Sequence, residues 1–123
     1  MGLDIYFYES ELAGSEQIET ESLGITHNLN TLVDECGKLS GVDYYKIIWR
    51  PDEILECSNG AVPVAYVLCY LPKILDDLIK YSVELKPYLP DNGYGTYEDL
   101  IEFVCKYIYM CYRNRQAYIY CCR

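Results

Sequence analysis

The sequence predicts an α+β fold: a single compact domain over residues 1–123, with a small sheet pairing the N- and C-terminal strands, covered by about four helices. Three observations carry this. Leu3, Ile5 and Phe7 alternate with Asp4, Tyr6 and Tyr8, the pattern of a strand with one buried face. Ala117 to Cys122 alternates in the same way. Between them, apolar residues recur with helical rather than strand period.

Each intervening element follows from its own signals. Glu9 to Ser22 is polar and acidic around Gly14 and reads as a loop. Leu29, Leu32, Val33 and Cys36 then fall at i, i+3, i+4 and i+7, so a helix starts at Thr26 or Asn28, and Gly37 suits its stop. A short second helix is expected from about Val42 to Ile48. Pro51 ends it and pushes Arg50 toward extended geometry, with Trp49 at the corner. From Val62 to Glu84 the apolar residues Val64, Leu68, Leu71, Ile74, Leu75, Leu78 and Ile79 form one side. Pro72 makes this a kinked helix, or two helices with Pro72 in the first turn of the second. A buried strand over Val64 to Tyr70 is the rival reading. Lys86 to Gly95 is a Pro- and Gly-rich turn region. Thr96-x-x-Asp99 resembles a capping box before a helix whose inner face holds Leu100, Phe103, Val104, Tyr107, Ile108 and Cys111.

Composition narrows the function. With 10 basic and 19 acidic residues the net charge is −9, which argues against direct nucleic-acid binding and against anionic membranes. The only basic cluster is Arg113, Arg115 and Arg123. A basic protein partner, or plain solubility, suits the acidic balance. No run of 18 apolar residues is present, so no membrane span is expected. The start carries no secretory pattern, and Tyr6 stands where a myristoylation motif needs Ser or Thr. Seven cysteines without a Cys-x-x-Cys, beside a single histidine, give no zinc signature. They read as reduced thiols in a cytoplasmic setting, with Cys121 and Cys122 on opposite faces of a strand.

Three polar motifs are candidates for binding, and each has an ordinary structural alternative. His27 lies in Thr26-His27-Asn28 at a helix start, where free N–H groups favour an anion; otherwise Thr26 or Asn28 simply caps the helix. Trp49-Arg50-Pro51 sets a flat ring beside a guanidinium, able to stack a base and hold a phosphate or carboxylate. Its alternative is a core tryptophan and an arginine paired with Asp52 or Glu53. Asn92-Gly93-Tyr94-Gly95-Thr96-Tyr97 leads from a Gly-rich turn into a helix, weak as a phosphate cradle and strong as a structural turn. The doublets Asp34-Glu35, Asp52-Glu53, Asp76-Asp77 and Glu98-Asp99 read as a solvated acidic face, not as a facing acid and base. A Cys–His dyad through His27 finds no cysteine in a nucleophile context. No catalytic residue, metal or cofactor is therefore assigned. Among the 15 tyrosines, Tyr107 suits the core, while Tyr6, Tyr8, Tyr118 and Tyr120 would project from the strands onto one surface. A stripe of that kind is consistent with self-association or protein recognition.

Four segments carry a family resemblance: Gly2-Leu3-Asp4-Ile5-Tyr6, Ile25-Thr26-His27-Asn28-Leu29, Trp49-Arg50-Pro51, and Asn92-Gly93-Tyr94-Gly95-x-Tyr97-Glu98-x-Leu100. In these the chain resembles a family of small, mostly uncharacterised proteins encoded by phages, prophages and related bacteria. Glu9 to Ser22 and Glu56 to Tyr70 lie outside the resemblance. What it implies is a setting, a phage protein in the cytoplasm of a bacterial host cell, and no activity. In that setting His27, Asn28, Trp49, Arg50, Asn92, Tyr94 and Tyr97 are expected to converge in one pocket for a nucleotide-like small molecule. The leading expectation is a homo-oligomeric counter-defence protein that sequesters a nucleotide-derived signal without turnover. The alternative is an acidic inhibitor that binds a host defence protein or nuclease directly. A nucleotide-modifying enzyme is a third reading, without a visible metal set or nucleophile–base pair.

Overall fold

The computed structural model describes residues 2–12, 15–19, 21–57 and 59–123. The expected Glu9–Ser22 loop includes Ala13, Gly14 and Thr20, which lie outside the described residues, as do Met1 and Ser58.

The alternating ends of the chain are strands β1 (Gly2–Tyr8) and β4 (Tyr118–Cys122), and they pair antiparallel with Tyr6 opposite Tyr120. They form the centre of a four-stranded sheet in the order β2-β1-β4-β3. The flanking strands are short: β2 is Gly24–Thr26 and β3 is Val62–Pro63. Neither has the length that makes alternation readable, and both owe their place to the strand beside them. Every pairing in the sheet is antiparallel.

Period two assigns the faces. Leu3, Ile5, Phe7, Ile119 and Cys121 turn inward and are buried, in one core with the helices. Six α-helices belong to the described residues: α1 (Asn30–Ser40), α2 (Tyr44–Trp49), α3 (Pro51–Ile54), α4 (Val64–Leu68), α5 (Leu71–Lys80) and α6 (Tyr97–Arg113). Only α1, α2, α5 and α6 exceed five residues, where about four covering helices were expected. None is long and apolar enough to cross a membrane.

The helix starts and stops have local causes. A 3-10 turn, His27–Leu29, leads into α1, and no side-chain cap forms at either start. The helix also runs past Gly37, the expected stop, to Gly41, whose φ of 78° is a left-handed cap. Gly37 is needed for a different reason. A Cβ there would lie 2.4 Å from the Val42 carbonyl oxygen, so the glycine lets the start of α2 press against α1. Pro51 stands at the first helical position of α3, where its missing N–H costs nothing. Val62–Glu84 resolves as two helices, α4 and α5, with Pro72 in the first turn of the second. The strand alternative for Val64 to Tyr70 is not formed. At α6 the capping box is complete: Thr96 Oγ1 accepts from the Asp99 N–H, and Asp99 Oδ2 accepts from the Thr96 N–H, each at 3.0 Å. Helix α6 buries Leu100, Phe103, Val104, Tyr107, Met110 and Cys111, and Tyr107 packs edge-on to Phe7 of the sheet. Each large side chain so buried contributes roughly 1.5–3 kcal/mol before chain entropy is subtracted.

Candidate functional site

Two of the three polar motifs come together. The Asn92 side chain accepts from the Tyr94 N–H at 3.0 Å, and Gly93 and Gly95 take φ of 79° and 87°, which fixes a tight turn. That turn sits against the 3-10 turn: Asn28 Nδ2 donates to the Tyr94 carbonyl at 3.4 Å, and a Cβ on Gly95 would lie 2.6 Å from Thr26 Cγ2. Asn30 Nδ2 lies 3.2 Å from His27 Nε2. The result is a shallow cavity of about 350 Å³ lined by His27, Asn28, Asn30, Thr31, Tyr88, Pro90 and Asn92. No Lys or Arg lines it. Its chemistry is that of amides, an imidazole and two hydroxyls, suited to hydrogen-bonding a polar group rather than to neutralising a phosphate.

The third motif is placed otherwise. Trp49 is 1% exposed, stacked on Tyr45 at 5.4 Å between centroids and touched edge-on by His27 at 6.3 Å. It is a core residue with no ring face open to a ligand. Arg50 donates to Glu53 at 2.5 Å, so its guanidinium already has a carboxylate. Tyr97 donates its hydroxyl to the Leu78 carbonyl at 2.8 Å, tying α6 to α5. Tyr94 is 69% exposed.

The four strand tyrosines do share a surface. Tyr6 opposes Tyr120 and Tyr8 opposes Tyr118 on the face of the sheet away from the helices, with Asp4 opposite Cys122 at one end. Tyr6 and Tyr120 are 36% and 45% exposed. Beside them Tyr8, Glu11, Leu12, Asn59, Ala61 and Tyr120 line a cavity of about 310 Å³. Its wall is held by Asn59 Nδ2, which donates to the Glu11 carbonyl, and by Gly60, where a Cβ would meet the Tyr120 ring at 2.7 Å.

One polar cluster has no counterpart in the expected site. Asp77 is 8% exposed, and its Oδ2 accepts from Ser40 Oγ at 2.6 Å, Tyr44 Oη at 2.5 Å and Lys73 Nζ at 2.8 Å. Burial opposes the charge, but the hydrogen bonds from Lys73, Ser40 and Tyr44 outweigh it and hold the carboxyl down at about 2. Asp77 therefore departs from the solvated face expected of the carboxylate doublets. The available signal was its position on α5, where Leu71, Ile74 and Asp77 follow each other at i+3 beside Leu78. The cluster joins α1, α2 and α5 and opens onto no cavity described above.

All seven cysteines are unbridged. Burial pushes the thiols of Cys36, Cys111 and Cys121 up to about 12, which keeps them un-ionised and poorly nucleophilic at neutral pH. Among the described residues no group of three or more His, Cys, Asp or Glu side chains is placed to hold a metal. Comparison of the chain with protein-family models, curated proteins and solved structures gives no match.

Proposed function

We propose that this is a non-catalytic binding protein that docks a basic partner protein on the tyrosine-lined face of its sheet. The face itself carries the reading. Its strand positions present Asp4, Tyr6, Tyr8, Tyr118, Tyr120 and Cys122, with no Lys or Arg among them. Tyrosine offers large contact area at little entropic cost. The charge of −9 and the carboxylates of Asp4 and Glu11 select a cationic partner and steer its approach. A second copy of the chain would instead set −9 against −9. In the phage setting that the family resemblance implies, the partner is a host defence protein and the chain its inhibitor.

The test is capture from bacterial lysate on wild-type and Tyr6→Ser/Tyr120→Ser baits, then titration of the captured polypeptide. The expected result is a basic polypeptide bound about 100-fold more weakly by the double variant, and more weakly in added salt. A polypeptide indifferent to both tyrosines and to salt overturns the reading. So does self-association of the pure protein that strengthens with salt.

The cavity beside His27 favours a second reading, capture without turnover of a polar small molecule such as a nucleotide derivative. Amides and an imidazole match the hydrogen-bonding edge of a base. Mass spectra recorded under native and denaturing conditions decide it. This reading expects a small molecule released from the wild type only on denaturation and missing from Asn28→Ala; a clean wild-type spectrum from ligand-containing cells removes it.

A further inference from the structure

We infer that the free edge of β2, with the groove between it and α6, receives an extended basic segment of a partner protein as a fifth strand of the sheet. This site adjoins the tyrosine face and shares Asp4 with it, but it rests on the β2 edge and α6 and not on the tyrosines, so the tyrosine variants and the edge variants test the two separately.

The Ile5 N–H donates to the Leu23 carbonyl at 2.9 Å, and Leu3 lies opposite Ile25. Bonded residues alternate along an antiparallel ladder. Leu23 and Ile25 therefore direct their backbone groups at β1, while Gly24 and Thr26 direct theirs away from it. Among the described residues nothing meets the N–H of Gly24 or of Thr26. Gly24 is exposed. The opposite edge of the sheet is blunted: β3 has two residues, and one of them is Pro63. The β2 edge is also short, at three residues, but carries no proline.

Beside that edge runs a groove of about 880 Å³. Leu29 and Phe103 supply its apolar floor. Asp99, Glu102, Phe103 and Lys106, one stripe of α6 at i, i+3, i+4 and i+7, supply the far wall. An open strand edge beside such a groove accepts a peptide by main-chain hydrogen bonds, and the peptide's alternate side chains read the groove.

Charge selects the occupant. Asp4, Asp99 and Glu102 face the groove against one cation, Lys106, which is already engaged by the Glu21 carboxylate at 3.0 Å and the Ser22 carbonyl at 2.7 Å. The Asp4 carboxylate lies over Gly24, with Oδ1 at 2.5 Å from where a Cβ would stand. An incoming strand with Lys or Arg at alternate positions meets these acids, and its apolar residues meet Phe103.

The probe is an eight-residue peptide alternating Lys and Val, with two controls: its N-methylated twin and a Glu–Val twin. Thr26→Pro blocks the edge at little structural cost, because Thr26 already has φ of −68° and follows a strand residue. Glu102→Lys reverses one charge on the exposed side of α6. The Lys–Val peptide is expected to bind the wild type and to slow hydrogen exchange at the Gly24 and Thr26 amides. Each substitution is expected to weaken it about tenfold, and neither control is expected to bind. Failure of the Lys–Val peptide to bind overturns the inference, as does unchanged exchange at Gly24 and Thr26. Equal binding by the N-methylated twin would show attraction without strand addition and also overturns it. Should Thr26→Pro unfold, amide exchange and Glu102→Lys still decide.

Discussion

Asp77→Ala is expected to lower the unfolding free energy by about 2–4 kcal/mol in urea titration. The substitution removes the one acceptor shared by Ser40, Tyr44 and Lys73, and leaves the buried Tyr44 hydroxyl without its carboxylate acceptor. Lys73 can turn to solvent, but Tyr44 cannot. Asp77→Asn keeps the shape and one acceptor oxygen, so it should cost about half as much. The same residue sets an acid limit. Its carboxyl is lowered from 3.8 to about 2 on folding, so the stability it contributes is fully present above about pH 4. It is lost as the pH falls through about 2. The shift corresponds to roughly 1–2 kcal/mol once solvent screening of the half-exposed Lys73 is allowed for. Wild-type stability should therefore fall between pH 4 and pH 2 by more than that of Asp77→Asn. Identical acid profiles for the two proteins, or an Asp77→Ala protein within about 0.5 kcal/mol of wild type, would contradict this account.

Trp49→Ala is expected to cost about 3–5 kcal/mol, the range for deleting a large aromatic from a close-packed core. Trp49→Phe should cost under about 1.5 kcal/mol. The reason is specific to this site. The indole Nε1 is buried without a hydrogen-bond partner among the described residues, so the native ring bears an unmet desolvation cost. Phenylalanine removes that N–H, keeps a flat ring against Tyr45, and leaves only a small void. Urea unfolding followed by far-ultraviolet circular dichroism gives both values, since the only tryptophan is the one replaced. A Trp49→Phe loss as large as that of Trp49→Ala would mean that the N–H has a partner in solution.

The elements legible in the sequence were those whose signal is local. Strands β1 and β4 alternate over five or more residues. The Thr96–Asp99 box needs only four consecutive residues, and Pro72 announces its own break. Strand β2 was not legible, because Gly24–Thr26 is too short to show a period and is a strand only by virtue of Leu3 beside it. Gly37 was the expected stop, but α1 runs on to Gly41, whose left-handed φ of 78° ends it. At the candidate site, the meeting of Asn28 with the Asn92–Gly95 turn was expected, and the structure brings them into contact. Trp49 and Arg50 were ambiguous for a physical reason: a tryptophan that stacks a ligand and one that fills a core have the same sequence signature. Burial separates them, and burial is a property of the whole fold. Asp77 was hidden by its neighbour. Asp76 is exposed, and only the rotation of α5 against Tyr44 turns the second aspartate inward.

The central position of β4 governs the order of events during synthesis. Strand β1 leaves the ribosome first, yet its longest pairing is with Tyr118–Cys122, and β3 pairs with that same late strand. Until β4 emerges, β1 is paired along one side only, Leu3 with Ile25, Ile5 with Leu23 and Phe7 with Ile18. Helical segments can form within the nascent chain as they appear, but the sheet closes only after translation has passed residue 122. A ribosome stalled anywhere before that point holds an open apolar strand, and a chaperone that shields it would act on β1 rather than on the helices.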